Sequence, residues 1–345
     1  MTGETPSSPQ AAPARLHAAA PPRHRQATVA DRLIANGSVV SIAVFFLVVC
    51  LLFSVGTDAF LTRPNLLNVL RQSAPLLIAA AAMTFVITTG GIDLSIGSVL
   101  ALVSALSAAL LQFGVPWPLV ILLMLACGGL IGAIQGYFIA YEGIPAFIVT
   151  LAGLSIVRGT ALLVTGGYSI PIDSGSPFVV IGRAWVFGVP LPALIAVTML
   201  VIAFVVFNET RFGRYVTGIG ANREAVRRAG VDVRITTLAV YVISGMAAAL
   251  AGIILAGRLG SGSSNAGQGF ELEVIAAVVL GGTSLFGGRG TIVGTILGAL
   301  TVAVLANGLI LAHMSPFLTP IVTGFIILVA IWLNFRLFRG SLRSR

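Results

Sequence analysis

The chain has 345 residues, 57% of them hydrophobic and 9% charged, with a formal net charge of +9; an ordinary soluble domain carries roughly 25% charged residues. That composition belongs to a membrane protein, so its parts are counted by apolar runs and not by domain-sized lengths. All twenty basic residues are arginine, which excludes a phosphate-binding loop that needs its lysine, Ser-x-x-Lys nucleophile chemistry and lysine Schiff bases.

Residues 1 to 37 are rich in Ala, Pro, Ser and Arg, without apolar periodicity. They read as a disordered tail, and the run that follows reads as an uncleaved first span. Ten apolar segments come next: Ser38 to Gly56, Gln72 to Thr89, Ile96 to Phe113, Pro118 to Ala140, Ile144 to Thr165, Leu191 to Phe207, Thr236 to Gly257, Leu272 to Leu285, Thr291 to Leu311 and Phe317 to Phe335. About 20 residues at ~1.5 Å rise match a ~30 Å hydrocarbon core. The eighth is short enough to be a re-entrant or broken helix. Residues 336 to 345 form a second basic tail. Cys50 and Cys127 both lie inside apolar runs and read as small hydrophobes. With histidines only at 17, 24 and 313, a His-Glu-x-x-His zinc site is absent. Catalytic, cofactor and metal residues are therefore expected to be none.

An even number of crossings puts both termini on one side. If the tail is cytoplasmic, fifteen arginines lie inside and four outside, namely Arg63, Arg71, Arg183 and Arg258, with Arg158 left within a span. This is a strong positive-inside bias, and it places both ends in the cytoplasm. Small residues recur every four positions at Gly128, Gly132 and Gly136, at Ser244, Ala248, Gly252 and Ala256, and at Gly290, Gly294 and Gly298. Dense helix packing explains such faces better than substrate contact does.

The longest hydrophilic stretch inside the bundle, residues 208 to 235, contains a miniature helix. Asn222 can cap its start, Glu224 stands in its first turn, Arg227 and Arg228 in its last, and Gly230 can take the left-handed position after it. At about eight residues it is too short to be stable alone in water. Its order implies a docking partner, either lipid headgroups or a protein.

One carboxylate, Asp93, stands between Asp58 and Glu142, in the stretch GGIDLSIG. That stretch resembles the signature of bacterial sugar ABC-transporter permeases of the ribose, xylose and arabinose type. Three further blocks agree in order: IPAFIVTLAGLSIVRG at 144 to 159, FGRYVTGIGANREAVRRAGV at 212 to 231, and ELEVIAAVVLGGTSLFGGRGTIVGTILGAL at 271 to 300. The resemblance covers about residues 38 to 335. It implies an all-α polytopic subunit of about ten transmembrane helices with the type II ABC importer fold, in the bacterial inner membrane. It implies a second copy as partner, a cytoplasmic ATPase, usually tandem, that carries ATP and Mg, and a periplasmic or lipid-anchored sugar-binding protein. No nucleic acid is involved, and the chain itself is not an enzyme.

The resemblance makes Gly213, Arg214, Gly220, Asn222, Glu224, Ala225, Arg227 and Gly230 an ATPase-coupling segment. Under this topology Gly90 and Gly91 end the second helix at the cytoplasmic surface, and Asp93 or Ser95 caps the third, with a gating role for Asp93 as the sharper hypothesis. Gly281, Gly282, Gly287 and Gly288 make the analogous turn between segments eight and nine, with Arg289 at headgroup level. Gln135, Arg158, Tyr241 and Asn307 are candidates for lining the path; an intramembrane arginine costs about 2.5 to 3.5 kcal/mol on insertion scales, so Arg158 faces protein or water or reaches an interface. The sugar itself is not legible. The rival readings are an importer of branched-chain amino acids, an ion-coupled secondary transporter, which needs acids at mid-membrane where none is expected, and a membrane enzyme, for which no nucleophile and base pair is visible.

Overall fold

The computed structural model describes residues 37–315, together with 317, 318, 321–326, 328, 329 and 332. The expected tails lie outside the described residues except for Gly37, which opens the first helix. Eight of the nineteen residues of the tenth segment lie outside them too.

Helices α1 (Gly37–Gly56), α2 (Arg63–Thr88), α3 (Ile96–Gln112), α4 (Trp117–Ala140) and α5 (Ala146–Thr165) follow one another through short connections. A loop then carries strand β1 (Ile170–Pro171), a 3₁₀ turn (Pro177–Val179), the short α6 (Val180–Arg183) and the hairpin β2 (Trp185–Val186) and β3 (Val189–Pro190). After it come α7 (Leu191–Glu209), α8 (Arg211–Arg228), α9 (Val233–Leu259), β4 (Ser261–Gly262), α10 (Phe270–Leu280) and α11 (Ile292–Leu311). The strands form two antiparallel pairs. Ile170 faces Gly262 and Pro171 faces Ser261 in one, while Trp185 faces Pro190 and Val186 faces Val189 in the other.

Among the described residues, seven helices are long and apolar enough to cross a membrane: α1 from Val39, α2, α4, α5, α7, α9 and α11. They divide into an inner and an outer set. The apolar window of α2 is 83% buried and that of α9 61%, whereas those of α1 and α5 are 11% and 17% buried. A helix apolar on all sides yet exposed along most of its length suits a hydrocarbon solvent.

Two expected segments change character. The second starts nine residues early, at Arg63, because Pro64 presets the first turn and the helical hydrogen bonds run on through the polar residues Asn65, Asn68 and Arg71. The eighth contracts to the 11 residues of α10 and is preceded by irregular backbone. Residues 208 to 235, expected to hold one short helix, are helical over most of their length, with a break at Asn222 (φ −159°, ψ 95°).

Close backbone approach holds the inner set together. The stripe Gly128, Gly132 and Gly136 on α4 lies on α9, where a Cβ on Gly132 would meet the Tyr241 carbonyl and one on Gly128 the Gly245 carbonyl. These are backbone obstacles that cannot rotate away. Gly132→Leu is expected to force the two helices apart and cost about 2 kcal/mol or more. Gly159→Ala on α5, where nothing lies within 4 Å, is expected to leave stability unchanged or slightly raised. Thermal unfolding of the detergent-purified variants measures both.

Candidate functional site

Two crossings of the bundle are broken at the same level. Ser244 is the twelfth of the 27 residues of α9, so about 16 Å of that helix lie on one side of it and about 22 Å on the other. Asp93, which precedes α3, accepts a 2.6 Å hydrogen bond from Ser244 Oγ. At 17 residues, α3 is about 25 Å long and runs from this level to the far end of α9; α10, at 11 residues and about 16 Å, runs from the same level to the near end. Their N-termini overlap, since a Cβ on Gly97 would meet both the Glu271 carboxylate and the Gly267 carbonyl. Irregular backbone, 89–95 in one case and 263–269 in the other, completes each crossing. In hydrocarbon such backbone is tolerated only where protein or water satisfies it.

Side chains supply what the missing helix turns do not. Asp93 is 3% exposed. Its Oδ1 accepts from the Ser95 amide at 2.9 Å and the Ser95 hydroxyl at 2.7 Å, and Gln135 Nε2 of α4 donates to Ser95 Oγ at 2.9 Å. Thr150 of α5 donates to the Ile92 carbonyl at 3.1 Å. On the other loop, Arg158 Nη1 donates to the Ser264 carbonyl at 2.6 Å and the Ala266 carbonyl at 2.9 Å, and Nη2 reaches the Gly267 carbonyl at 3.3 Å. Glu271 and Glu273 both lie in the first turn of α10, where the helix dipole favours acids.

This geometry corrects the surface placement expected for GGIDLSIG. Gly90, with φ +83°, does end α2 at an exposed position, but Gly91 is buried against Tyr241. Asp93 does not lie at the end of a span; the chain turns inward after Gly90 and carries it to the middle of α9. Ser95 makes no side-chain cap bond, and it is Asp93 that holds the amide at the start of α3. The expectation that no acid lies at mid-depth therefore fails, for Asp93 and for Glu271 alike. Of the four path candidates, Gln135 is tied to Ser95 and Arg158 to the 263–269 loop. Asn307 is paired with Asn65 through two 3.0 Å hydrogen bonds, and Tyr241 is buried beside Gly91 with its hydroxyl unpartnered.

The remaining blocks converge at the near end of the bundle. A Cβ on Gly220 of α8 would meet the Thr88 carbonyl and the Gly288 amide, and Gly288 N donates to that same Thr88 carbonyl at 2.9 Å. Gly287 (φ +80°) lies against Gly90 and Gly220, and Gly281 packs backbone to backbone on Gly294 of α11. Gly282 and Gly288 also have positive φ. Gly213 turns α8 tightly over the Phe207 carbonyl, while Phe85 packs edge-on to Phe207 at 5.2 Å.

Beyond the break in α8, Asn222 Oδ1 accepts from the Ala225 amide at 3.0 Å, and Glu224 pairs with Arg227 and Arg228 at 3.0 Å each. Gly230, at φ +83°, ends the turn. The two arginines hold the Glu224 carboxyl below its ordinary value. Arg214, Asn222, Glu224, Ala225 and Arg227 are all exposed, as is Arg289. Sequence reasoning missed Ser244, Thr150, Asn65 and the two acids of α10; the acids had a signal, being the only carboxylates between Asp232 and the end of the chain.

Residues 65–331 match the family described as branched-chain amino acid transport system / permease component, and the chain belongs to that family. It is 40% identical over 309 residues to the probable ABC transporter permease protein YphD of Escherichia coli, covering 90% of this chain and 92% of that one. It is 42% identical over 294 residues to the ribose import permease protein RbsC of Bacillus subtilis, covering 85% and 91%. To the xylose transport system permease protein XylH of Escherichia coli it is 35% identical, covering 83% and 88%. No solved structure matches it. The chain is thus a transport component and not an enzyme.

Two substitutions test the mid-depth ties. Asp93→Asn is expected to fold, because the amide keeps an acceptor and the serine hydroxyls can reorient. Asp93→Leu strands three buried donors at about 1–3 kcal/mol each and is expected to abolish the monodisperse protein in size-exclusion chromatography. Arg158→Leu leaves three carbonyls unpaired at membrane depth and is expected to lower the unfolding midpoint sharply, with Arg158→Lys restoring part of the loss.

Proposed function

We propose that this chain is the permease subunit of an ATP-driven, binding-protein-dependent importer of a monosaccharide of the ribose or xylose kind. Two copies form the path, each crossing the membrane about ten times with both termini in the cytoplasm. ATP and Mg are bound by a separate ATPase. The relatives named for ribose and xylose support the sugar. The arginine distribution supports the orientation, since all six arginines of 208–235 are exposed on the α8 side.

The observation that carries the coupling is the seat of Gly220. It touches Thr88, where α2 ends before the first broken crossing, and Gly288, in the turn that follows the second. A push on α8 therefore reaches both broken crossings through backbone contacts with no flexible side chain between. Coupling requires such an element with two arrangements that both sites bias. The exposed helix after Asn222, capped and ion-paired yet too short to stand alone, is the surface an ATPase would grip.

The second reading is a branched-chain amino acid importer, which the description of the matched family favours. Purified with its ATPase in nanodiscs, the chain is expected to show hydrolysis stimulated by a ribose- or xylose-loaded binding protein. Stimulation only by a leucine- or valine-loaded protein would establish the second reading instead. Replacing residues 221–231 with a Gly-Ser linker is expected to abolish co-elution of the ATPase, and undiminished co-elution would remove the coupling role. Gly220→Val is expected to retain the ATPase while lowering substrate-stimulated hydrolysis about tenfold or more.

A further inference from the structure

One buried hydroxyl takes no part in the mid-depth ties. Tyr241 is 1% exposed, and its Oη finds no hydrogen-bond partner in the protein. An unpaired hydroxyl is costly in any interior, and more so at membrane depth. The rest of the residue is fixed. Its carbonyl faces Gly132 and its Cβ lies against Gly136, both on the glycine stripe of α4, so the closely packed seam of α4 and α9 holds the phenol where it stands.

The phenol faces the loop that carries Asp93. A Cβ on Gly91 would collide with Tyr241 Oη and stand 3.4 Å from Cζ. Glycine at 91 thus admits the ring tip, a reason for the second glycine of GGIDLSIG that the turn at Gly90 does not supply. Asp93 follows two residues later. Its Oδ1 is filled by the Ser95 amide and hydroxyl, while Oδ2 accepts from Ser244 alone, and a carboxylate oxygen has room for a second donor. Tyr241 and Ser244 are three residues apart on α9 and share one face, with Tyr241 the nearer to α8. Long side chains on a helix lean toward its N-terminus, which carries the phenol further in that direction.

We propose that Asp93 has two stations on α9, Ser244 in the arrangement seen here and Tyr241 in the other arrangement of the transport cycle, with Tyr241 as the residue that positions it there. This rests on the importer reading and adds to it a polar contact made in one state only. Gly287 lies against both Gly90 and Gly220, so displacement of α8 arrives at the start of 89–95. A slide of about 4.5 Å, the rise of three helical residues, carries Asp93 from Ser244 toward the phenol. The exchange leaves no hydroxyl unpaired. The released Ser244 can turn back to the carbonyl four residues earlier, as serines within helices do, whereas the phenol reaches no carbonyl of its own helix.

The test uses the complete permease–ATPase complex in nanodiscs, with the ribose- or xylose-loaded binding protein that stimulates its hydrolysis as the probe. Tyr241→Phe keeps the ring and removes only the hydroxyl. It is expected to raise the unfolding midpoint of the nucleotide-free complex by about 1–2 °C, because no bond is lost there, and to lower substrate-stimulated hydrolysis about tenfold, because the second station loses its donor. Those opposite signs separate a positioning role from space filling. Ser244→Ala removes the first station and is expected to raise hydrolysis in the absence of binding protein about threefold or more, and adding Tyr241→Phe is expected to cancel that rise. Stimulated hydrolysis unchanged within twofold in Tyr241→Phe overturns the proposal. So does a lowered midpoint in that variant, which would mean that the hydroxyl is already paired in the resting protein. A rise in Ser244→Ala that survives the second substitution overturns it as well. If the wild-type complex shows no substrate-stimulated hydrolysis, the importer reading fails first, a result distinguishable because it involves no variant.

Discussion

The constraint on which this structure depends is that backbone amides and carbonyls at membrane depth must find partners within the protein. Among the described residues, seven helices meet it through their own hydrogen bonds. The two broken crossings do not, and their irregular halves are held by side chains from other helices: Asp93 with Ser95, Ser244 and Gln135 on one, Arg158 on the other. These few charged and polar groups at mid-depth would be costly alone. Here each is consumed by backbone or by another side chain, which explains why an otherwise apolar bundle retains them.

The same constraint relates fold to transport. A helix that stops at mid-depth can shift against its neighbours without carrying a whole crossing with it. The small-residue stripes make those neighbours approach backbone to backbone, so displacement at one contact passes to the next. Gly220, Thr88, Gly288 and Gly90 form such a chain of contacts at one end, and Gly97, Gly267 and Glu271 another at the middle. Between them lie only the irregular backbone of 89–95 and 281–291 and the 11 residues of α10.

Much of the fold was legible in the apolar runs. The boundaries of α3, α4 and α11 fall within a residue or two of the runs that mark them, because a run of that length has one economical conformation in hydrocarbon. The helix after Asn222 was legible too, since capping is local and Asn222, Glu224 and Gly230 are close in sequence. What was not legible was depth. A run read as a straight crossing places Asp93 at a surface and Leu272 at the opposite one. Only the pairing of Asp93 with Ser244, 151 positions away, and of Arg158 with residues more than 100 positions away shows that both lie inside.

The depth of α10 is the most direct test of this account. Nitroxide labels at Leu272 and at Leu285, both exposed in the chain, can be placed one at a time in protein whose Cys50 and Cys127 are replaced by alanine, and their immersion read from oxygen and nickel-chelate collision rates in bilayers. The broken crossing predicts Leu272 near the bilayer centre and Leu285 near the headgroups. Both labels at headgroup level, on opposite faces, would mean that the run crosses unbroken and would contradict the account.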